Sequence, residues 1–205
     1  MTRTTFIAAA LALAAVLPAM SAQAAGVSRT FLSAAGSDSN NCANVLTPCR
    51  HLATAFAATA QDGEIYVLDP ANYGSVTITH GVSIEGHGWA SIAPVAGNPA
   101  ILVSANAGDK INIIGAVLDG TNVNLTTGII FNSGGSLTVC ESVIRNFSDD
   151  GIAFQPTAST PSQLFVSNTL VSDNGQVGII FLPPVRELQR AFSITSRWYT
   201  MDRMG

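Results

Sequence analysis

The sequence predicts an all-β fold, a parallel β-helix (solenoid) with a short amino-terminal capping helix. Three observations predict it. A ten-residue pattern occurs three times: INIIGAVLDG from Ile111 to Gly120, LTVCESVIRN from Leu137 to Asn146, and LFVSNTLVSD from Leu164 to Asp173, with starts 26 and then 27 residues apart. A second echo follows each copy, as GIIF at Gly128, GIAF at Gly151 and GIIF at Gly178. No helical pattern separates these strands, although parallel strands in a layered fold need a crossover that is usually helical. A period in the twenties with aliphatic residues at fixed positions marks a stack of coils, each hydrogen-bonded to its neighbours.

The first 24 residues read as a secretory signal peptide. Arg3 supplies the positive start, Phe6 to Leu17 is an unbroken apolar run, Pro18 breaks it, and Ala22-Gln23-Ala24 is a small-x-small cleavage site. The run is short for a membrane span, which needs roughly 20 apolar residues. The mature chain is therefore expected to have no transmembrane segment and to be secreted, periplasmic or extracellular.

Residues 25–182 are expected to form the β-helix domain. Thr30 to Ser33 (TFLS) is its first strand, followed by a loop rich in Gly, Asp and Asn. His51 to Ala60 (HLATAFAATA) reads as a short helix, with Leu52, Ala55, Phe56 and Thr59 on one face and Gln61-Asp62-Gly63 ending it. A solenoid exposes unpaired backbone at its ends, and this helix is suited to cover the first. Glu64 to Leu68 (EIYVL), Ser75 to Thr79 (SVTIT) and Val82 to Glu85 (VSIE) are strands rich in β-formers. Stacking the repeats in register puts Val139 between Ile113 and Val166, and Ile144 between Leu118 and Val171.

Residues 183–205 break the pattern. Pro183-Pro184 follow GIIFL, and four of the nine basic residues (Arg186, Arg190, Arg197, Arg203) fall here. Two readings stand: a carboxy-terminal cap using Val185, Leu188 and Phe192, or an end not native to the fold. The second is preferred because the composition shifts abruptly.

Charged residues make up only 11% of the chain and the net charge is −4, which excludes the basic footprint of a nucleic-acid binder. Cys42 and Cys49 bracket the loop CANVLTPC and are expected to form a local disulfide in an oxidising compartment. Cys140 is left over, and an unpaired, half-buried thiol is the reading preferred for it.

The segments TFLSAAGSDSNNC and TPCRHLATAFAATAQDGEIYVLDPANYGSVTITHGVSIEG resemble the opening of bacterial right-handed parallel β-helix proteins of the pectate-lyase-like superfamily. The resemblance spans roughly Arg29 to Leu182 and is far more specific for fold than for function. It implies a right-handed β-helix, usually linked to polysaccharide at or outside the cell envelope.

Candidate chemistry is sparse. Asp149-Asp150 is the paired carboxylate of the chain, and such pairs divide acid and base work when their environments differ. Asp-Asp-Gly is also an ordinary turn, the preferred reading. Asp119 and Arg145 share the ninth repeat position and should be neighbours, as a uronate-binding pair or, preferably, a surface ion pair. Asn146 and Asp173 share the tenth position and could belong to a corner ladder. Asp38, Asn40 and Asn41 form an oxygen-rich loop, but calcium takes 6–8 oxygen ligands and the support for it is weak. His87 and Trp89, in EGHGWAS, are candidates for stacking on a sugar ring, weighed against an aromatic that merely covers a turn.

The expectation is a monomeric exported β-helix protein with a non-catalytic binding or structural role at the envelope, contacting polysaccharide and needing no cofactor. The alternative is a polysaccharide lyase or glycoside hydrolase using Asp149, Asp150, Asp119 and Arg145.

Overall fold

The structure, a computed structural model, describes residues 26–121, 124, 126–157 and 161–182. The expected signal peptide and the tail from 183 to 205 lie outside the described residues. The elements are β1 (Val27–Leu32), α1 (Leu52–Ala58), β2 (Thr59–Val67), β3 (Ala71–Asn72), β4 (Val76–Ile78), β5 (Val82–Ile92), β6 (Ile101–Ser104), β7 (Lys110–Asp119), β8 (Ile129–Ser133), β9 (Ser136–Cys140), β10 (Val143–Arg145), β11 (Ile152–Phe154), β12 (Gln163–Ser167), β13 (Leu170–Ser172) and β14 (Ile179–Phe181).

All pairings between these strands are parallel, and together they make a solenoid of about four turns. One sheet follows the path β1-β2-β5-β7-β10-β13, with β9 and β12 completing its later coils and β3 pairing with β5. The second sheet runs β4-β6-β8-β11-β14.

Alternation within each strand sends every second side chain inward, and register stacks those side chains into ladders. Ile65, Ile84, Ile113, Val139 and Val166 form one ladder. Ile92, Leu118, Ile144 and Val171 form another. Both predicted stackings, of Val139 and of Ile144, are therefore present. In the second sheet Phe131, Phe154 and Phe181 stack with centroids 4.5 and 5.2 Å apart. Phe131 and Phe154 are fully buried, and burying each such side chain stabilises the fold by about 1.5–3 kcal/mol.

The repeat has a corner inside it. The fifth position has left-handed backbone in all three copies, at Gly115 (φ 61°), Glu141 (φ 53°) and Asn168 (φ 47°). The small sixth residue then accepts a hydrogen bond from the coil before: Ala116 N–H donates to Ser142 Oγ (3.1 Å), and Ser142 N–H to Thr169 Oγ1 (3.4 Å). The chain turns here without leaving a buried amide unpaired. A second left-handed corner follows at Asn146 (φ 60°) and Asp173 (φ 53°).

The helix packs against β1, β2 and β4 and buries Leu52, Ala55 and Phe56 at the first coil, as the capping expectation requires. It ends earlier than its pattern suggests. β2 already begins at Thr59, because the Asp62 N–H donates to Gly81 O (2.8 Å) and so joins this stretch to the next coil. Cys42 and Cys49 form the expected disulfide and are fully buried. Their loop bonds to the open edge of β1: Phe31 N–H donates to Cys42 O and Cys49 N–H to Phe31 O, both at 2.9 Å. An edge that would otherwise present unpaired groups is thus covered.

Candidate functional site

Outward positions of the first sheet bring together residues that lie far apart in the sequence. In β1 and β2, Thr30, Leu32, Ile65 and Val67 point inward, so Phe31 and Tyr66 point out. These two are register partners, with ring centroids 6.3 Å apart in an edge-on arrangement. The next outward position in that row is Glu85 of β5, paired with Tyr66. β5 then bulges over Gly86–Trp89, where its pairing with β7 breaks between Glu85 and Ala90. The bulge swings His87 back over Tyr66, at 4.4 Å between centroids, and places Trp89 5.6 Å beyond His87.

The result is a ledge of rings, Phe31, Tyr66, His87 and Trp89, crossing the outer faces of three successive parallel strands. Trp89 is 46% exposed. The bulge depends on glycine. Gly115 lies beneath it at φ 61°, and a Cβ there would come within 2.7 Å of Gly88 N and 2.9 Å of His87 N. The backbone of the bulge fills the space that a side chain at Gly115 would take, and the equivalent corner position of the next coil is Glu141.

Charged groups frame the ledge. Arg29 Nε bonds Glu64 Oε2 at 2.5 Å, and its guanidinium lies 5.8 Å from the Tyr66 centroid. Glu85 is half-buried. Burial pushes its carboxyl above the usual range, Glu64 and Glu141 push the same way, and His87 opposes them. Cys140 stands two strands on in the same outward row, reached through Ile114. It is a free, half-buried thiol, raised first by burial and then by Glu141 and Glu85, which keeps it in the unreactive protonated form.

The other predicted residues gather at a different corner. Asp119 and Arg145 are register partners, as expected, with Arg145 Nε 3.0 Å from Asp119 Oδ2. Asp119 also accepts from Thr121 N–H and Oγ1 and from the Asn146 amide (3.1 Å). Burial pushes its carboxyl up, but these donors and Arg145 outweigh that and bring it to about 2. Its oxygens are thus occupied by the fold itself. The Asn146 amide is spent on Asp119 and Thr121 of the preceding coil.

Asp149 and Asp150 lie in the turn before β11. Asp149 Oδ2 accepts from Thr127 Oγ1 (3.4 Å) and Asp150 Oδ1 from Val177 N–H (3.1 Å). Burial raises the Asp150 carboxyl; the Val177 N–H opposes this and the charge on Asp149 adds to it. The ion pairs among the described residues are Arg29–Glu64, His51–Asp38 and Arg145–Asp119, so no base is paired with this acidic turn.

Asp38 serves the loop. Its Oδ1 accepts from Arg50 N–H and His51 N–H, its Oδ2 meets His51 Nδ1 at 2.5 Å, and these donors hold the carboxyl near 2 against the upward push of burial. The Asn40 amide donates to Pro48 O, and Asn41 Oδ1 accepts from Ala43 N–H. Among the described residues no group of His, Cys, Asp or Glu is arranged to hold a metal ion, and no helix is long and apolar enough to cross a membrane. A shallow cleft of about 320 Å³ lies elsewhere, between α1 and the second sheet, lined by residues including Ala53, Ser75, Thr77 and Asn98.

The segment EGHGWAS singles out His87 and Trp89, whereas nothing in the sequence ties Phe31, Tyr66 or Glu85 to them. The alternation in TFL and EIYVL marks Phe31 and Tyr66 as outward residues, but only the register brings them beside EGHGW. No protein-family model, no curated protein and no solved structure matches this chain.

Proposed function

We propose that this is an exported, non-catalytic polysaccharide-binding protein of the cell envelope, acting as a monomer on a pectate-lyase-like β-helix scaffold. The ledge of Phe31, Tyr66, His87 and Trp89 carries this reading. Trp89, the exposed ring at the outer end of this packed aromatic cluster, offers an apolar face to the C–H face of a sugar ring, while polar groups at the margin receive hydroxyls. The rigid sheet beneath holds the rings in place before a ligand arrives, which lowers the entropic cost of binding. The apolar start of the chain and the disulfide support export.

One observation favours a second reading, a lyase or hydrolase at Asp149 and Asp150: the raised carboxyl of Asp150 beside a second acid. Both side chains, however, are engaged by a turn of the fold. Co-sedimentation with insoluble polysaccharides, followed by an assay for newly released reducing or unsaturated sugar ends, tests the proposal. Binding that is weakened about tenfold in Trp89→Ala, the scale of one good aromatic contact, is expected, with no sugar release. Release that disappears in Asp150→Asn would replace this reading by the enzymatic one.

A further inference from the structure

The charges around the ledge narrow the kind of glycan it fits, an inference that rests on the glycan-binding reading above. Arg29 is neutralised by Glu64. Glu85 and Glu141 remain, one in the ledge row beside Tyr66 and the other at the corner position one coil beyond Gly115. Neither is in an ion pair among the described residues. The other cation of this sheet face, Lys110, stands at the far end of β7, about 13 Å along the strand from Ile114. The ledge is therefore apolar along its middle and anionic along its margin.

Glu141 occupies the left-handed fifth position that the corner uses in all three repeats. Left-handed backbone suits Gly, as at Gly115, or Asn, as at Asn168. For a residue such as Glu it costs about 1–2 kcal/mol.

We infer that the ledge selects a polymer of amino sugars bearing free, protonated amines, stacking a sugar ring on the exposed Trp89 and receiving the ammonium groups at Glu85 and Glu141. A polyuronate would bring carboxylates against the same margin and be repelled.

Calorimetric titration with β-1,4-linked glucosamine oligomers, their fully N-acetylated counterparts and galacturonic acid oligomers, at one slightly acidic pH and low salt, tests this. The acetylated oligomer has the same ring and no charge, so it separates charge recognition from stacking. Glucosamine oligomers should bind at least about tenfold more tightly than the acetylated ones, with uronate oligomers weakest. That ratio should shrink toward one in the E85Q/E141Q double variant and as salt rises. Equal affinity for the amine and acetylated oligomers, with both weakened in Trp89→Ala, would overturn the inference and leave the glycan-binding reading intact. Tightest binding of the uronate would also overturn it. No binding of any oligomer would overturn both.

Discussion

His87 lies over Tyr66, 4.4 Å between ring centroids and inclined by 60°, because β5 bulges one coil beyond β2 at the point where Gly115 leaves room for it. The ledge is thus a product of backbone geometry as much as of aromatic content.

Gly115→Ala should therefore damage the ledge. The new methyl group meets the His87 and Gly88 amides at a distance no Cβ tolerates, and its φ of 61° is itself unfavourable. The backbone term alone costs about 1–2 kcal/mol. Urea unfolding should show at least that loss, and glycan binding should fall although no ring has been removed.

Glu141→Gly should do the opposite to stability. Relief of the left-handed strain at φ 53° is expected to stabilise the fold by up to about 1 kcal/mol, even after the added freedom of the unfolded chain is counted. Binding of the glucosamine oligomer should weaken in the same variant. Melting temperature and affinity would then move in opposite directions.

Phe154→Ala probes the ladder core. Phe154 is fully buried and stacked between Phe131 and Phe181. The cavity left behind should cost about 3–5 kcal/mol. Because each coil rests on its neighbours, the loss should appear in one cooperative unfolding transition measured by far-ultraviolet circular dichroism.

Stability should also depend on acid. Asp119 and Asp38 are each lowered from 3.8 to about 2 in the folded chain. A depressed carboxylate contributes its stabilisation fully above the unfolded value and loses it as pH falls through the folded value. Loss of these two contributions should therefore lower the urea midpoint as pH falls from about 4 to about 2. Asp119→Asn should lower the midpoint at neutral pH and flatten part of that decline.

The core was legible in the sequence because its physics is periodic. Spacings of 26 and 27 residues placed Val139 and Ile144 between their observed partners, and the apolar face of HLATAFAATA marked the cap. The corner at Gly115, Glu141 and Asn168 was visible only as a small residue in the sixth position; the left-handed fifth residue has no common side chain to announce it. The ledge was half legible. His87 and Trp89 stand out in a glycine-flanked segment, but Phe31 and Tyr66 belong to early coils of unequal length, interrupted by α1 and the disulfide loop. Nothing in the spacing aligns them with EGHGW. Asp119 and Arg145 were placed correctly as neighbours, and their chemistry was visible only once Thr121 and Asn146 were seen to share the same carboxylate.

Nuclear magnetic resonance titration of the labelled protein with a glucosamine oligomer tests the central claim most directly. The account predicts shift changes concentrated at Phe31, Tyr66, His87, Trp89 and the adjoining Glu85 and Glu141, with the corner of Asp149 and Asp150 unmoved. Changes centred on Asp149 and Asp150, or none anywhere at saturating oligomer, would contradict it.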